Sequence, residues 1–424
     1  MSQSTMAIIV LIITIAIFVS QKVAMPVAAL IGGLLMVIIG ALTPANFCSY
    51  FGNNVCLLLA GVAVVSAAMF ETGLSAKIGA AIIKVKVLTS TEKAFLLGIM
   101  VVSGVMSIFV ANVPVVALFM PIIATVAASS QGRITKKHLY YPMVCTVSVC
   151  GAGSLVGSAT NLLGSAALEE TVGFGMEMFA MLPVVLILMA VTVLYFFLFG
   201  YQLQQKVFDF PEAKDDNENA GEEQEYRPLQ AWIAGLTFVG IMIMFIRGVW
   251  NFGAVACLGA VICVLAGCIS WKKAVQKIDW NTIITIAGAL ALAGGFSNSG
   301  AGDVVANAVV NMFGGESASP VLIMCVAIVL TSAVGCFMSH NAMVAVLVPI
   351  FCTVATKLGS DPLAFAVAVT VAINICHATP VSTTIYMMPL SAGYRFNDFV
   401  KVGLPILIIS DIVMCIIMPV LYHL

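Results

Sequence analysis

An apolar stretch interrupted by polar residues occurs twice in this chain. Residues 107–127, SIFVANVPVVALFMPIIATVA, return as residues 335–355, GCFMSHNAMVAVLVPIFCTVA. Aligned on Pro121 and Pro349, the tails PIIATVA and PIFCTVA agree in five of seven places. Nine residues before each proline the apolar run is broken, by Asn112 in one copy and His340 in the other. A polar break at membrane depth is tolerated only where protein covers it or it lines a cavity. Two such breaks, in corresponding halves of a chain, point to the substrate site of a secondary transporter.

The rest of the chain leaves little room for a soluble fold. Apolar residues make up 62% and charged residues 9%, with a mean hydropathy of +1.12. A soluble domain is nearer half apolar and a quarter charged. The opening, MSQST, lacks the basic region of a cleavable signal, so the run 6–20 is read as a retained span. Most of the twelve cysteines, Cys145, Cys150, Cys263, Cys325 and Cys352 among them, lie inside apolar runs, where a free thiol packs as a small hydrophobe. No CxxC pair, P-loop, His/Cys/Glu metal set or nucleophile elbow occurs. An enzyme, a resident cofactor and a nucleic-acid partner are therefore not expected.

The expected fold is an all-α membrane protein of about ten transmembrane helices and two re-entrant helical hairpins. Spans are predicted at 6–20, 24–42, 55–71, 138–165, 178–200, 229–248, 252–270, 281–297, 362–386 and 402–422, with the hairpins at 93–130 and 319–357. The distribution of basic residues supports this topology. With residues 72–92 cytoplasmic, sixteen of the eighteen Lys and Arg fall inside and only Arg247 and Lys357 outside. Both termini then lie outside, in what is expected to be a bacterial inner membrane. Counting each hairpin as a full crossing would set the lysines of 72–93 opposite Arg133, Lys136 and Lys137.

This topology makes residues 1–200 and 229–424 inverted repeats, joined by an acidic cytoplasmic linker over 201–228. AGVAVVSAAMFETG (60–73) pairs with AGALALAGGFSNSG (287–300). Each hairpin is followed by a span with a small and polar interruption, GAGSLVGSATN (151–161) and HATPVSTT (377–384). Gly and Pro there predict unwound helix, whose free carbonyls and half-helix ends can coordinate ions.

These motifs resemble the divalent anion/sodium symporters, the dicarboxylate, citrate and sulfate transporters of the ion transporter superfamily. GAGSLVGSATN followed by FGMEMFAMLPV carries the likeness, as does SHNAMVAVLVPIFCTVA followed by HATP and SAGYRFNDFVKVGLP. The resemblance implies a homodimer in the lipid bilayer that moves a small anion with sodium by an elevator-like motion. It also implies site residues. In the first half Asn112 and Ser107 match the family's sodium and substrate positions, as do Gly157 and Asn161. In the second half Ala378, Thr379 and Pro380 match, and Ser382 stands where the family has asparagine. The tips read Ala111-Asn112-Val113 and Ser339-His340-Asn341.

The implied first sodium site is Ser107, Asn112 and Gly157, and a second would use Ala378. The anion would meet Asn112, Ser158, Thr160, Asn161, Ser339, His340, Asn341, Thr379 and Ser382. His340 displaces an oxygen ligand, so two roles stand open for it: proton coupling or a donor to the anion, against a neutral packed donor. His377 divides in the same way, between proton coupling and a bond to a carbonyl. Asp411, deep in LIISDIVMCIIMP, is either a proton relay or a carboxyl packed on a polar partner. No Lys or Arg occupies a tip or an unwound stretch. A di- or monocarboxylate is the expected cargo. The competing function is a cation/proton antiporter or a metalloid-anion permease of the same superfamily.

Overall fold

The predicted spans fold as helices, and no strand occurs among the described residues. The structure is a computed structural model describing residues 2–20, 22–74, 77, 91–130, 132–210, 226–315 and 318–423. Among the described residues, seven helices are long and apolar enough to cross a membrane, and shorter apolar helices accompany them.

The first half begins with Gln3–Ser20, Met25–Ile38 and Asn54–Glu71. The second begins with Pro228–Arg247, Phe252–Leu265 and Trp280–Asn298. Their packing is reciprocal: Asn54–Glu71 lies along Phe252–Leu265, and Met25–Ile38 along Trp280–Asn298. Both crossings are made by the glycine of the repeated Ala-Gly pair. A Cβ on Gly61 would lie 2.5 Å from the Ala256 carbonyl carbon, and one on Gly288 would lie 2.7 Å from that of Ala29. Gly288 follows Gly61 by 227 positions, and Ala256 follows Ala29 by the same interval. Small residues at a crossing let helix backbones meet where lipid offers no hydrophobic drive.

Each predicted hairpin region folds as two helices that pack on one another across a short break. The first comprises Glu92–Phe109 and Asn112–Ser129, the second Pro320–Gly335 and His340–Lys357. Hydroxyl caps start both first arms: Thr91 Oγ1 accepts from the Ala94 amide at 3.1 Å and Ser319 Oγ from that of Leu322 at 3.4 Å. The broken spans follow. Lys136–Gly151 and Ala159–Val172 flank the first interruption. The second separates Pro362–Asn374 from a single turn, Thr384–Met387, that continues as 3-10 helix to Ala392. Second arms pack on the opposite broken span, His340–Lys357 against Ala159–Val172 and Asn112–Ser129 against Thr384–Met387.

Some boundaries differ from expectation. The linker predicted to begin at 201 begins later. Leu182–Tyr195 continues through a π-helical turn, Phe196–Gly200, into Tyr201–Val207, because Gln204 and the ring of Phe196 are buried against the body of the protein. Residues 211–225, with most of the acidic run and Lys214, lie outside the described residues, as do Lys84 and Lys86. The last span starts at Phe396 rather than 402, where the Arg395 amide donates to the Asp398 carboxylate at 2.8 Å. The helix Ala301–Met312 was not expected; its polar residues Asp303, Asn307 and Asn311 recur at a helical interval on an otherwise apolar segment.

Candidate functional site

The first break is built for close approach. A Cβ on Gly151 would overlap the Asn112 amide, and one on Gly157 would overlap the Gly151 carbonyl and lie 2.7 Å from that of Ser107. Only glycine admits Asn112 this far. Ser107 Oγ lies 2.5 Å from Asn112 Oδ1 and donates to the Val147 carbonyl at 3.1 Å. Turned over, the Asn112 amide nitrogen donates to Ser107 Oγ, Val147 O and Gly157 O at 2.5, 3.2 and 3.3 Å. The turned-over amide satisfies these oxygens without an ion; with its oxygen on that side, it joins Ser107 Oγ and two main-chain carbonyls as a set of four oxygen ligands. Hydroxyl, amide and main-chain oxygens are the ligands a hard cation takes.

Asn161 holds the break in shape. Its Nδ2 donates to the carbonyls of Gly151 and Ser154, both at 2.7 Å, and its Oδ1 accepts from Asn374 Nδ2 at 3.3 Å. Both amide hydrogens are thus engaged within the protein. The Ser154 hydroxyl donates to the Ile108 carbonyl, which ties the break to the first tip. Ser158 caps Ala159–Val172, accepting from the Thr160 amide at 3.4 Å.

The second half brings together a different chemistry. His340 opens the second arm and is buried, with no partner for Nε2. His377 lies in the second break, fully buried, and its Nε2 is likewise unpartnered. Its Nδ1 lies 2.5 Å from the Tyr386 hydroxyl, and its carbonyl accepts from Tyr141 at 2.8 Å. With the Tyr386 hydroxyl donating to Nδ1, the ring proton sits on Nε2, the side without a partner. Ser382 Oγ is buried and unpartnered too. The Thr379 hydroxyl donates to the Cys336 carbonyl, fastening the second break to the second tip.

The two halves meet here. Thr160 Oγ1 donates to Asn341 Oδ1 at 3.1 Å, joining the first broken span to the second tip. Ser148 Oγ donates to the Asn374 carbonyl at 2.7 Å. Three helices therefore begin in one region, at Asn112, Ala159 and His340. Where the first arms start, side chains cap the free amides. At Ala111 and Ser339, where the second arms start, no side chain does so. Uncapped amides at a helix N-terminus are donors for an anion.

Ser339 and Ala378 flank this region, and one expected residue lies outside it. Ser339 is half-buried at its N-cap position, and Ala378 is buried within the second break. Asp411 stands apart, accepting from Ser332 Oγ at 2.8 Å. A separate cavity of about 420 Å³ lies near the far ends of His340–Lys357 and Ala159–Val172, lined in part by Thr171, Ser297, Asp303, Thr353, Thr356 and Lys357. There Lys357 pairs with Asp303 at 2.9 Å, so its basic group is already neutralised, and we place the site at the breaks. Sequence reasoning missed the Val147 and Gly151 carbonyls, Tyr386 and Asn374. Of these only Asn374 left a signal, an amide in the otherwise apolar run PLAFAVAVTVAIN.

Comparison with known proteins points to transporters. A family described as "Citrate transporter" matches residues 10–350. The "Sodium-dependent dicarboxylate transporter SdcS" of Staphylococcus aureus is 24% identical over 430 residues, covering 93% of this chain and 82% of that protein. The "Uncharacterized transporter YfbS" of Escherichia coli is 31% identical over 166 residues, 38% of this chain; the match spans only 27% of YfbS. Among solved structures, the YdaH transporter of Alcanivorax borkumensis superposes with a TM-score of 0.65 at 14% identity, covering 89% of this chain and 86% of that one. At that identity the likeness is one of fold.

Proposed function

The chain belongs to the citrate transporter family, and from that premise we propose that it carries a small di- or monocarboxylate coupled to sodium. It is an integral membrane transporter and not an enzyme. The observation that carries the reading is the Thr160–Asn341 bond, which joins the first break to the second tip. The family description and the name of the SdcS relative both agree with a carboxylate cargo.

Sodium occupies the oxygen-rich set of Ser107, Asn112 and Gly157. The anion lies against the uncapped N-termini at Asn112 and His340, with Nε2–H of His340 and His377 and the hydroxyls of Ser158, Thr160, Ser339 and Ser382 as further donors. Asn341 orients Thr160, and Thr379 holds the second tip. Hydroxyl, amide and imidazole donors bind an anion without the strong salt bridge that would slow its release. A second sodium at the Ala378 carbonyl would find imidazole where an oxygen is needed, so the second half is assigned to the anion.

The same reading extends to the whole molecule. The helix pairs at 93–130 and 319–357 are re-entrant hairpins, and 1–200 and 229–424 are inverted repeats. The reciprocal glycine crossings support that symmetry. The protein works as a homodimer by an elevator-type motion, in a bacterial inner membrane with both termini outside and the linker after Val207 cytoplasmic.

Thermal stability of the purified protein in detergent tests the proposal. Succinate, lactate, sulfate and arsenite would each be added in sodium and in choline, since a ligand that binds only the folded state stabilises it by mass action. Stabilisation by a carboxylate that needs sodium is expected. A sodium response with no response to any anion would instead favour the antiporter, and stabilisation by arsenite alone the metalloid permease.

A further inference from the structure

Asp411 lies fifteen residues into the final helix, Phe396–Leu421, and is buried. Its Oδ2 accepts from Ser332 Oγ at 2.8 Å, while its Oδ1 is out of reach of solvent and has no partner. An ionised carboxylate only accepts hydrogen bonds. Here it would leave a charge in apolar surroundings that one hydroxyl does not offset. Among the described residues no Lys, Arg or His pairs with it. Among the described residues, the titratable groups near enough to feel its charge are thiols: Cys336 at the end of the first arm, Cys376 on the second broken span and Cys415 on its own helix. On Leu182–Tyr195, which also packs against this helix, Tyr195 bonds the Val402 carbonyl at 3.0 Å, nine residues before Asp411.

We propose that Asp411, with Ser332, is a proton-binding site held between the final helix and the first arm of the second hairpin. A proton needs no cavity and removes the buried charge in place. A hard cation takes several oxygens, and the structure supplies one carboxyl and one hydroxyl in contact, against four oxygens at the first break. Proton binding at Asp411 reaches the candidate site by a short route. The Ser332 carbonyl accepts from Cys376 Sγ at 3.3 Å, and His377 is the next residue. Cys336, four residues after Ser332, accepts the Thr379 hydroxyl. A change in the Asp411–Ser332 bond therefore bears on both attachments of the second break. The coupling role rests on the transport reading given above; the proton site itself does not.

Infrared difference spectra of the purified protein without substrate test the site, titrated from about pH 5 to about pH 9, on either side of the histidine range. The wild type should show a protonated-carboxyl C=O band that vanishes as pH rises. Asp411→Asn should lack the band, and Ser332→Ala should shift its frequency and midpoint. If Asp411→Asn does not fold, Asp411→Glu should retain the band at a displaced midpoint. A band that survives in Asp411→Asn, or no titrating band in the wild type, overturns the assignment. So does a tenfold shift of the midpoint when sodium replaces choline, which would mark a cation site. In proteoliposomes supplied with succinate, Asp411→Asn should lose the pH dependence of uptake and keep its sodium dependence. A titrating band in a protein that moves no carboxylate would uphold the proton site and refute the transport reading alone.

Discussion

At the scale of single residues, Asn112 is where the proposed sodium set meets the fold. Asn112→Ala removes an oxygen from the set and leaves Ser107 and two carbonyls facing a void. We expect sodium-dependent stabilisation to fall by about 1–3 kcal/mol, the usual cost of a lost buried polar partner, read from melting curves in sodium against choline. His340→Asn should restore an oxygen at the second tip. Its carboxylate affinity should drop about tenfold, as for a lost donor of about 1.4 kcal/mol, while its sodium dependence steepens; flux titrations in both variables would show this. These two residues were legible in the sequence because each interrupts an apolar run at the same distance from a shared proline. Asn161 was legible as polar, but its two bonds with main-chain carbonyls depend on a break shape no spacing encodes.

At the scale of elements, spans and breaks could be read from the sequence, because an apolar run of fixed length and a Gly- or Pro-containing gap both leave local marks. The start of the linker and the helix Ala301–Met312 could not. Both depend on burial against partners distant in sequence. The repeated Ala-Gly pair makes a sharper test. Gly61→Leu and Gly288→Leu each place a side chain into the backbone of the opposing helix, at contacts of 2.5 and 2.7 Å. Each should cost about 1–3 kcal/mol by overpacking, with similar losses of melting temperature in detergent. A large loss in one and none in the other would argue against equivalent crossings.

For the whole molecule, the orientation rests on where the cations fall, and one native thiol checks it. Cys48 is the exposed cysteine; the others are buried or half-buried. It lies between Met25–Ile38 and Asn54–Glu71, on the side assigned to the outside. A membrane-impermeant maleimide should label intact cells at Cys48, and Cys48→Ser should abolish the signal. Labelling confined to inside-out vesicles would reverse the topology.

The reciprocal crossings also set an order of events during synthesis. Met25–Ile38 and Asn54–Glu71 have their principal partners in Trp280–Asn298 and Phe252–Leu265, more than 180 residues later in the chain. The first half must therefore wait in the bilayer, with two small-residue seams unfilled, until ribosomes deliver the second. The amino-terminal half depends on its successor for closure, and a nascent fragment ending near the linker would leave both seams open.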